Sequence, residues 1–180
     1  LHSTTPVING SKWHPHLSRK IIAPEILPLK MAEFRGKNAK IITLNGSFDL
    51  LHAGHLKILS HAYDLKDENG VFIVALNTDE SVQRYKSVLR PIIPLEERLQ
   101  MMAASVFVDY VTWFGEDDPI ELLKVIRPDI HVNGSEYGEN CIEAKTVQEG
   151  GGVISIVEKA QGLSTSTIIK KILAFGEADG

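Results

Sequence analysis

From residue 39 onward the chain alternates short apolar runs with segments of helix length, and that pattern constrains the fold more than any other feature of the sequence. Such alternation is the signature of a parallel sheet covered by crossover helices. The first strand is expected over Lys40–Leu44, ending at Asn45-Gly46, followed by a helix over Gly54–Leu65 in which Leu56, Leu59, Ala62 and Tyr63 recur at three- and four-residue steps. Val71–Leu76 is continuously apolar, as a strand buried on both faces must be. Asp79 is placed to cap a helix through Tyr85, and Leu95–Ser105 is helical. Strands at Asp109–Phe114, Asp129–Val132 and Val153–Val157 are followed by helices ending near Arg127, over Ile142–Gln148 and over Thr165–Phe175. Five strands, each followed by a helix, predict a single doubly wound, Rossmann-like α/β domain with a five-stranded parallel sheet. With strand order 3-2-1-4-5 a ligand would sit beyond the carboxyl ends of strands one and four, between Gly46 and Gly134.

The α/β domain expected here spans 40–175, with a helical extension over 19–39 and a tail over 176–180. In the extension Ile26, Leu29, Met31 and Phe34 are available to cover a neighbouring surface. Residues 1–18 are polar and aperiodic and are expected to be a tag remnant, a trimmed start or a loosely held arm. Nineteen Lys plus Arg against twenty-three Asp plus Glu give a net charge of -4, which supplies no global field for nucleic acid. No apolar run approaches the roughly 20 residues of a membrane helix. A single cysteine, Cys141, cannot form an intrachain disulfide, which fits a reducing, cytoplasmic compartment.

The run Asn45-Gly46-Ser47-Phe48-Asp49-Leu50-Leu51-His52-Ala53-Gly54-His55 carries the chemistry. Two imidazoles three residues apart at a helix start can face one way, beside free backbone N–H groups and the positive end of the helix dipole, and together they suit phosphate oxygens. Gly54 between them allows close approach of a ligand to the backbone. Asp49 could orient His55 or help hold Mg²⁺; equally, it could be a turn residue bonding its own backbone. Ser164-Thr165-Ser166-Thr167 opens the last helix with four hydroxyls where capping needs one. His61 and His131 are accounted for by packing, and Cys141 is expected to be inert.

On these residues the sequence resembles the cytidylyltransferase-like nucleotidyltransferases, whose His-x-Gly-His loop is matched by His52 and His55. The likeness continues through Asn77-x-Asp79, Arg90-Pro91 with Glu96 and Arg98, Val108–Val111, Pro128-Asp129, Asn133–Tyr137 and Ser164–Ile169, and covers residues 19 to 173. Within that family it looks most like the D-glycero-D-manno-heptose 1-phosphate adenylyltransferases of lipopolysaccharide precursor synthesis. The resemblance implies transfer of AMP from ATP to D-glycero-β-D-manno-heptose 1-phosphate, a sugar 1-phosphate, with pyrophosphate leaving and Mg²⁺ held mainly through ATP phosphates. It further implies His52, His55 and Arg90 as catalytic groups, and Asp49, Lys86 and Arg90 at the substrate. Asn45, Gly46, Ser47, Phe48, Gly54, His55, Asn133, Gly134, Glu136, Ser164, Thr165 and Ser166 would surround the nucleotide. The heptose enzymes often carry Lys where this chain has Asn133, and a homodimer is common among them.

Other readings remain at this point. A cytidylyltransferase acting on glycerol 3-phosphate or a related alcohol phosphate would commonly have Arg where Lys159 stands. A nicotinamide dehydrogenase needs three spaced glycines that the first loop lacks, and a zinc hydrolase needs a third ligand beside His52 and His55. A non-catalytic nucleotide sensor would use the same binding residues without turnover.

Overall fold

The computed structural model describes residues 13–158, 162 and 164–178. Its sheet consists of β1 (Ile41–Gly46), β2 (Val71–Asn77), β3 (Tyr110–Phe114), β4 (Ile130–Gly134) and β5 (Val153–Val157). All pairings are parallel and the order is β3-β2-β1-β4-β5, the order assumed above, which the alternation of strands and helices does not by itself fix. The helices are α1 (Pro15–Ser18), α2 (Leu27–Gly36), α3 (Ala53–Asp64), α4 (Asp79–Tyr85), α5 (Leu95–Ala103), α6 (Ile120–Ile126), α7 (Ala144–Glu149) and α8 (Thr165–Ala178).

Residues alternate across the sheet and feed two cores. On one face Ile42, Leu44, Phe72, Val74, Leu76, Val111 and Trp113 pack against Leu59 and Ala62 of α3 and Leu95, Leu99 and Met102 of α5. On the other, Ile41, Ile73, Ala75 and Phe114 meet Leu27, Met31 and Phe34 of α2 and Leu122 and Ile126 of α6. The strands run past their expected ends, so that both Asn-Gly pairs are the last residues of strands. Asn45 and Gly46 stay in register with Ala75 and Leu76, and Asn133 and Gly134 with Ile156 and Val157.

Three local expectations change. Asp79 is the first residue of α4, whose cap is Thr78, with Oγ1 accepting the Ser81 N–H at 3.3 Å. In the 19–39 extension Met31 and Phe34 are buried, but Ile26 and Leu29 are 48% and 71% exposed, and Leu27 takes the inner place instead. The extension also prolongs the sheet: Val111 N–H donates to Lys20 O, and Ile22 N–H donates to Val111 O. Residues 13–18 are tied down rather than loose. The Trp13 indole N–H donates to Glu96 at 3.0 Å, and Leu17 packs on the first core. The arm reading for 1–12 and the tail beyond 178 lie outside the described residues. Among the described residues no helix is long and apolar enough to cross a membrane.

Candidate functional site

A cleft of about 330 Å³ opens beyond the carboxyl ends of β1 and β4, at the point where the strand order reverses. Every residue expected at the nucleotide or substrate lines it, with the exception of Asp49. The loop after β1 supplies Asn45 to Phe48, α3 supplies His52, Gly54 and His55, and the end of α4 with the following turn supplies Lys86 and Arg90. Asn133, Gly134 and Glu136 come from the end of β4, and Ser164, Thr165 and Ser166 from the start of α8.

The histidine pair is held by backbone geometry. His52 precedes α3 with extended dihedrals, φ -148° and ψ 171°, and its Nδ1 accepts the Gly54 N–H at 3.1 Å. His55 Nδ1 accepts the His52 N–H at 3.2 Å, and the ring centroids lie 4.0 Å apart. Each ring thus spends its Nδ1 lone pair on a helix-end donor, which fixes the neutral tautomer with its proton on Nε2. Burial, the neighbouring His52 and then Lys86 lower the His55 pKa to about 4. His55 is accordingly a neutral N–H donor near pH 7.

Behind the pair the loop is shaped by an aromatic ring. Phe48 sits at φ 45°, a region that bulky residues rarely occupy. Its ring stands 5.3 Å from that of His55 and so close to Gly46 that a β-carbon there would lie 3.1 Å from it. Gly46 is required by this approach rather than by its own dihedrals.

Lys86 Nζ donates to Ser47 Oγ at 2.7 Å, and burial, then the Arg90 cation, lower its pKa. Arg90 Nε donates to Asp49 Oδ2 at 2.7 Å. The Asp49 carboxylate has no exposed side-chain surface and also accepts the N–H groups of Ile92 and Ile93. Burial alone would raise its pKa, but those two amides and Arg90 outweigh it and hold the carboxyl below its ordinary value. Asp49 therefore neither orients His55 nor faces a substrate; it fastens the Arg90 turn to the loop after β1, and its place among substrate contacts is corrected accordingly.

Arg98 is the residue for which the sequence reading had no role. It is 1% exposed, and its guanidinium donates to the carbonyls of Ser47, Asn77 and Ile93 and to Asp79 Oδ1 at 2.6–2.9 Å. One side chain joins the loop after β1, the end of β2, the start of α4 and the turn before α5. The signal was available: positions 95, 98, 99 and 102 form one apolar helical stripe, and an arginine in such a stripe must be buried and paired.

At the start of α8 Ser164 Oγ accepts the Thr167 N–H at 3.1 Å and is the cap, while Thr165 Oγ1 donates to Leu50 O at 3.3 Å. Thr167 Oγ1 also bonds Ser164 Oγ at 2.9 Å, so of the four hydroxyls that of Ser166 is the one without a hydrogen bond among the described residues. Asn133 Nδ2 donates to the buried Glu143 at 3.3 Å. At Gly134 the carboxylate end of Glu136 lies where a β-carbon would go. Asn45 Oδ1 is buried with no partner among the described residues. Tyr85 and Tyr137 also line the cleft, and neither was singled out from the sequence, because a lone tyrosine carries no spacing signal. His61 bonds Ser155 Oγ at 3.0 Å, and the fully buried His131 bonds Thr43 Oγ1 at 2.8 Å, partners that sequence spacing did not reveal. Burial pushes the Cys141 thiol pKa up, away from reactivity. Lys159 lies outside the described residues.

Residues 43–171 match the family model described as cytidylyltransferase-like. Curated proteins named "Bifunctional protein HldE" are similar over most of the chain. The one from Trichlorobacter lovleyi is 40% identical over 161 residues, covering 89% of this chain and 32% of that protein. The one from Citrifermentans bemidjiense is 39% identical over 156 residues, covering 86% and 31%. The one from Escherichia coli O1:K1 / APEC is 40% identical over 153 residues, covering 84% and 31%. The chain spans about a third of the length of these relatives. The solved structure of the lipopolysaccharide core biosynthesis protein from Thermoplasma volcanium GSS1 shares the fold, with a TM-score of 0.54 at 24% identity over 67% of this chain and 96% of that one.

Proposed function

The chain belongs to the cytidylyltransferase-like family, and on that premise we propose that it is a nucleotidyltransferase moving AMP from ATP to D-glycero-β-D-manno-heptose 1-phosphate, with release of pyrophosphate. The observation that carries this reading is the convergence, in one cleft, of two imidazoles with their protons on Nε2, two cationic side chains and the start of α8. The heptose-type motifs from Arg90 to Tyr137 and the similarity to the HldE proteins favour this acceptor over an alcohol phosphate.

In the proposed reaction an oxygen of the acceptor phosphate attacks the α-phosphorus of ATP in line. The bond from that phosphorus to the oxygen bridging to the β-phosphate breaks, pyrophosphate carries away the electron pair, and ADP-heptose remains. No covalent enzyme intermediate is needed, so catalysis consists of positioning and charge stabilisation. His52 and His55 donate from Nε2 to phosphoryl oxygens, and Lys86 and Arg90 neutralise phosphate charge on the same wall. Asp49 and Arg98 set the loop and turn that carry those cations.

Among the described residues no three His, Cys, Asp or Glu side chains converge on a metal site, and Asp49 is consumed by its own hydrogen bonds. The residues present therefore suit Mg²⁺ held by triphosphate oxygens and water rather than in a protein cage. When bound, it supplies further neutralisation of phosphate charge.

The test is pyrophosphate release on mixing the protein with Mg²⁺ and either ATP plus heptose 1-phosphate or CTP plus glycerol 3-phosphate. Release in the first mixture is expected. A large preference for the second would replace this assignment with the cytidylyltransferase reading, and no release with any acceptor would favour a sensor.

A further inference from the structure

The two walls of the cleft carry opposite charge. Lys86 and Arg90 line it on the side of α4, whereas Glu136 and Glu158 line it beside the ends of β4 and β5. Phosphates are attracted to the cationic wall, so the uncharged base of a nucleotide meets the β4 side. There Asn133, 4% exposed, donates from Nδ2 to Glu143, which is 6% exposed and directly precedes α7. Burying a carboxylate beside an amide is costly, and its consequence is geometric. A carboxylate only accepts hydrogen bonds, so Asn133 has to turn its NH₂ toward Glu143, which leaves Oδ1, the one acceptor of the amide, unspent on that contact.

We propose that Glu143 is a positioning residue which, by locking the Asn133 amide with Oδ1 toward the ligand, makes the cleft select a nucleobase bearing an exocyclic amine over its keto counterpart. A base amine donates to Oδ1, whereas a keto oxygen would be set against another acceptor. The inference rests on the nucleotidyltransferase reading of this cleft for the presence of a nucleotide there.

The experiment compares binding of ATP and of ITP, in which the adenine amine is replaced by a keto oxygen, by calorimetry on the wild-type chain, Glu143→Gln and Asn133→Ala. Circular dichroism and Tm establish that each variant is folded. The wild type is expected to bind ATP at least ~10-fold more tightly than ITP. In Glu143→Gln, where position 143 can also donate and Asn133 is free to turn over, the ratio should fall toward one. Asn133→Ala removes the acceptor, should do the same, and decides the matter if Glu143→Gln does not fold. A role for Glu143 in structure alone would weaken both nucleotides together and leave the ratio unchanged, which would overturn the proposal. Equal binding of ATP and ITP by the wild type would also overturn it. Intact discrimination without pyrophosphate release would sink the transferase reading and leave this one standing; pyrophosphate release at equal rates from ATP and ITP would do the reverse. Binding of neither nucleotide would overturn both.

Discussion

His55 spends Nδ1 on the His52 N–H and keeps Nε2–H for a ligand, so its removal takes away a donor while the rest of the loop keeps its ties. His55→Ala is expected to cut turnover by roughly 10² or more with an unchanged circular dichroism spectrum, the scale of a lost positioned donor. Turnover within a few-fold of wild type would remove the ring from the reaction. Arg98 acts differently, because its partners are inside the protein. Arg98→Met leaves the Asp79 carboxylate and the carbonyls of Ser47, Asn77 and Ile93 without their donor. The expected loss is about 3–5 kcal/mol of stability by urea unfolding, as for a broken buried pair; a loss under about 1 kcal/mol would mean that the four segments hold together without it. Asp49 shows why residue roles escape a sequence reading. A carboxylate six residues before His55 can face phosphate, metal or backbone, and only the folded path of the turn at 90–93 decides that it takes the backbone.

At the scale of elements, two glycines that look alike in sequence do different work. A β-carbon at Gly152, between α7 and β5, would lie 2.1 Å from Pro128 O and 3.2 Å from Asp129 O, atoms of a neighbouring backbone that cannot swing away. At Gly134 the obstacle is the carboxylate end of Glu136, which can. Gly152→Ala is therefore expected to destabilise the fold by about 1–3 kcal/mol while leaving the cleft chemistry in place. Gly134→Ala should hold stability to within about 1 kcal/mol but weaken nucleotide binding by displacing Glu136. Tm and calorimetric affinity, measured on both variants, check the contrast; the reverse pattern would show that the end of β4 is not part of a ligand site. The elements themselves were legible because each apolar run or stripe has its own period. Their ends were not, since pairing with Ala75, Leu76, Ile156 and Val157 carries β1 and β4 beyond their apolar residues.

Two imidazoles contribute to the response of the whole molecule to pH, the half-buried His55 and the fully buried His131. His55 and His131 are both lowered from 6.5 to about 4, by burial foremost. Between those values the unfolded chain binds more protons than the folded one, so stability falls as pH drops from about 6.5 to about 4 and this contribution is then exhausted. The slope is at most ~1.4 kcal/mol per pH unit for each ring. Urea midpoints at pH 7, 5.5 and 4.5 check it, and a midpoint that rose on acidification would contradict the neutral state of both rings. By itself the sequence determined the five-stranded parallel sheet and marked the loop after β1 with its pair of histidines, because period, strand length and a short motif are local properties of the chain. It also marked most of the residues that line the cleft, in the loops that follow β1 and β4, the turn after α4 and the start of α8, though not Ile58, Tyr85 or Glu158. Tertiary structure alone decided which side chains serve one another: Arg98 tying four segments, Asp49 holding Arg90, and Glu143 turning Asn133. Such pairings join residues ten to fifty positions apart through hydrogen bonds whose direction exists only once the backbone is in place.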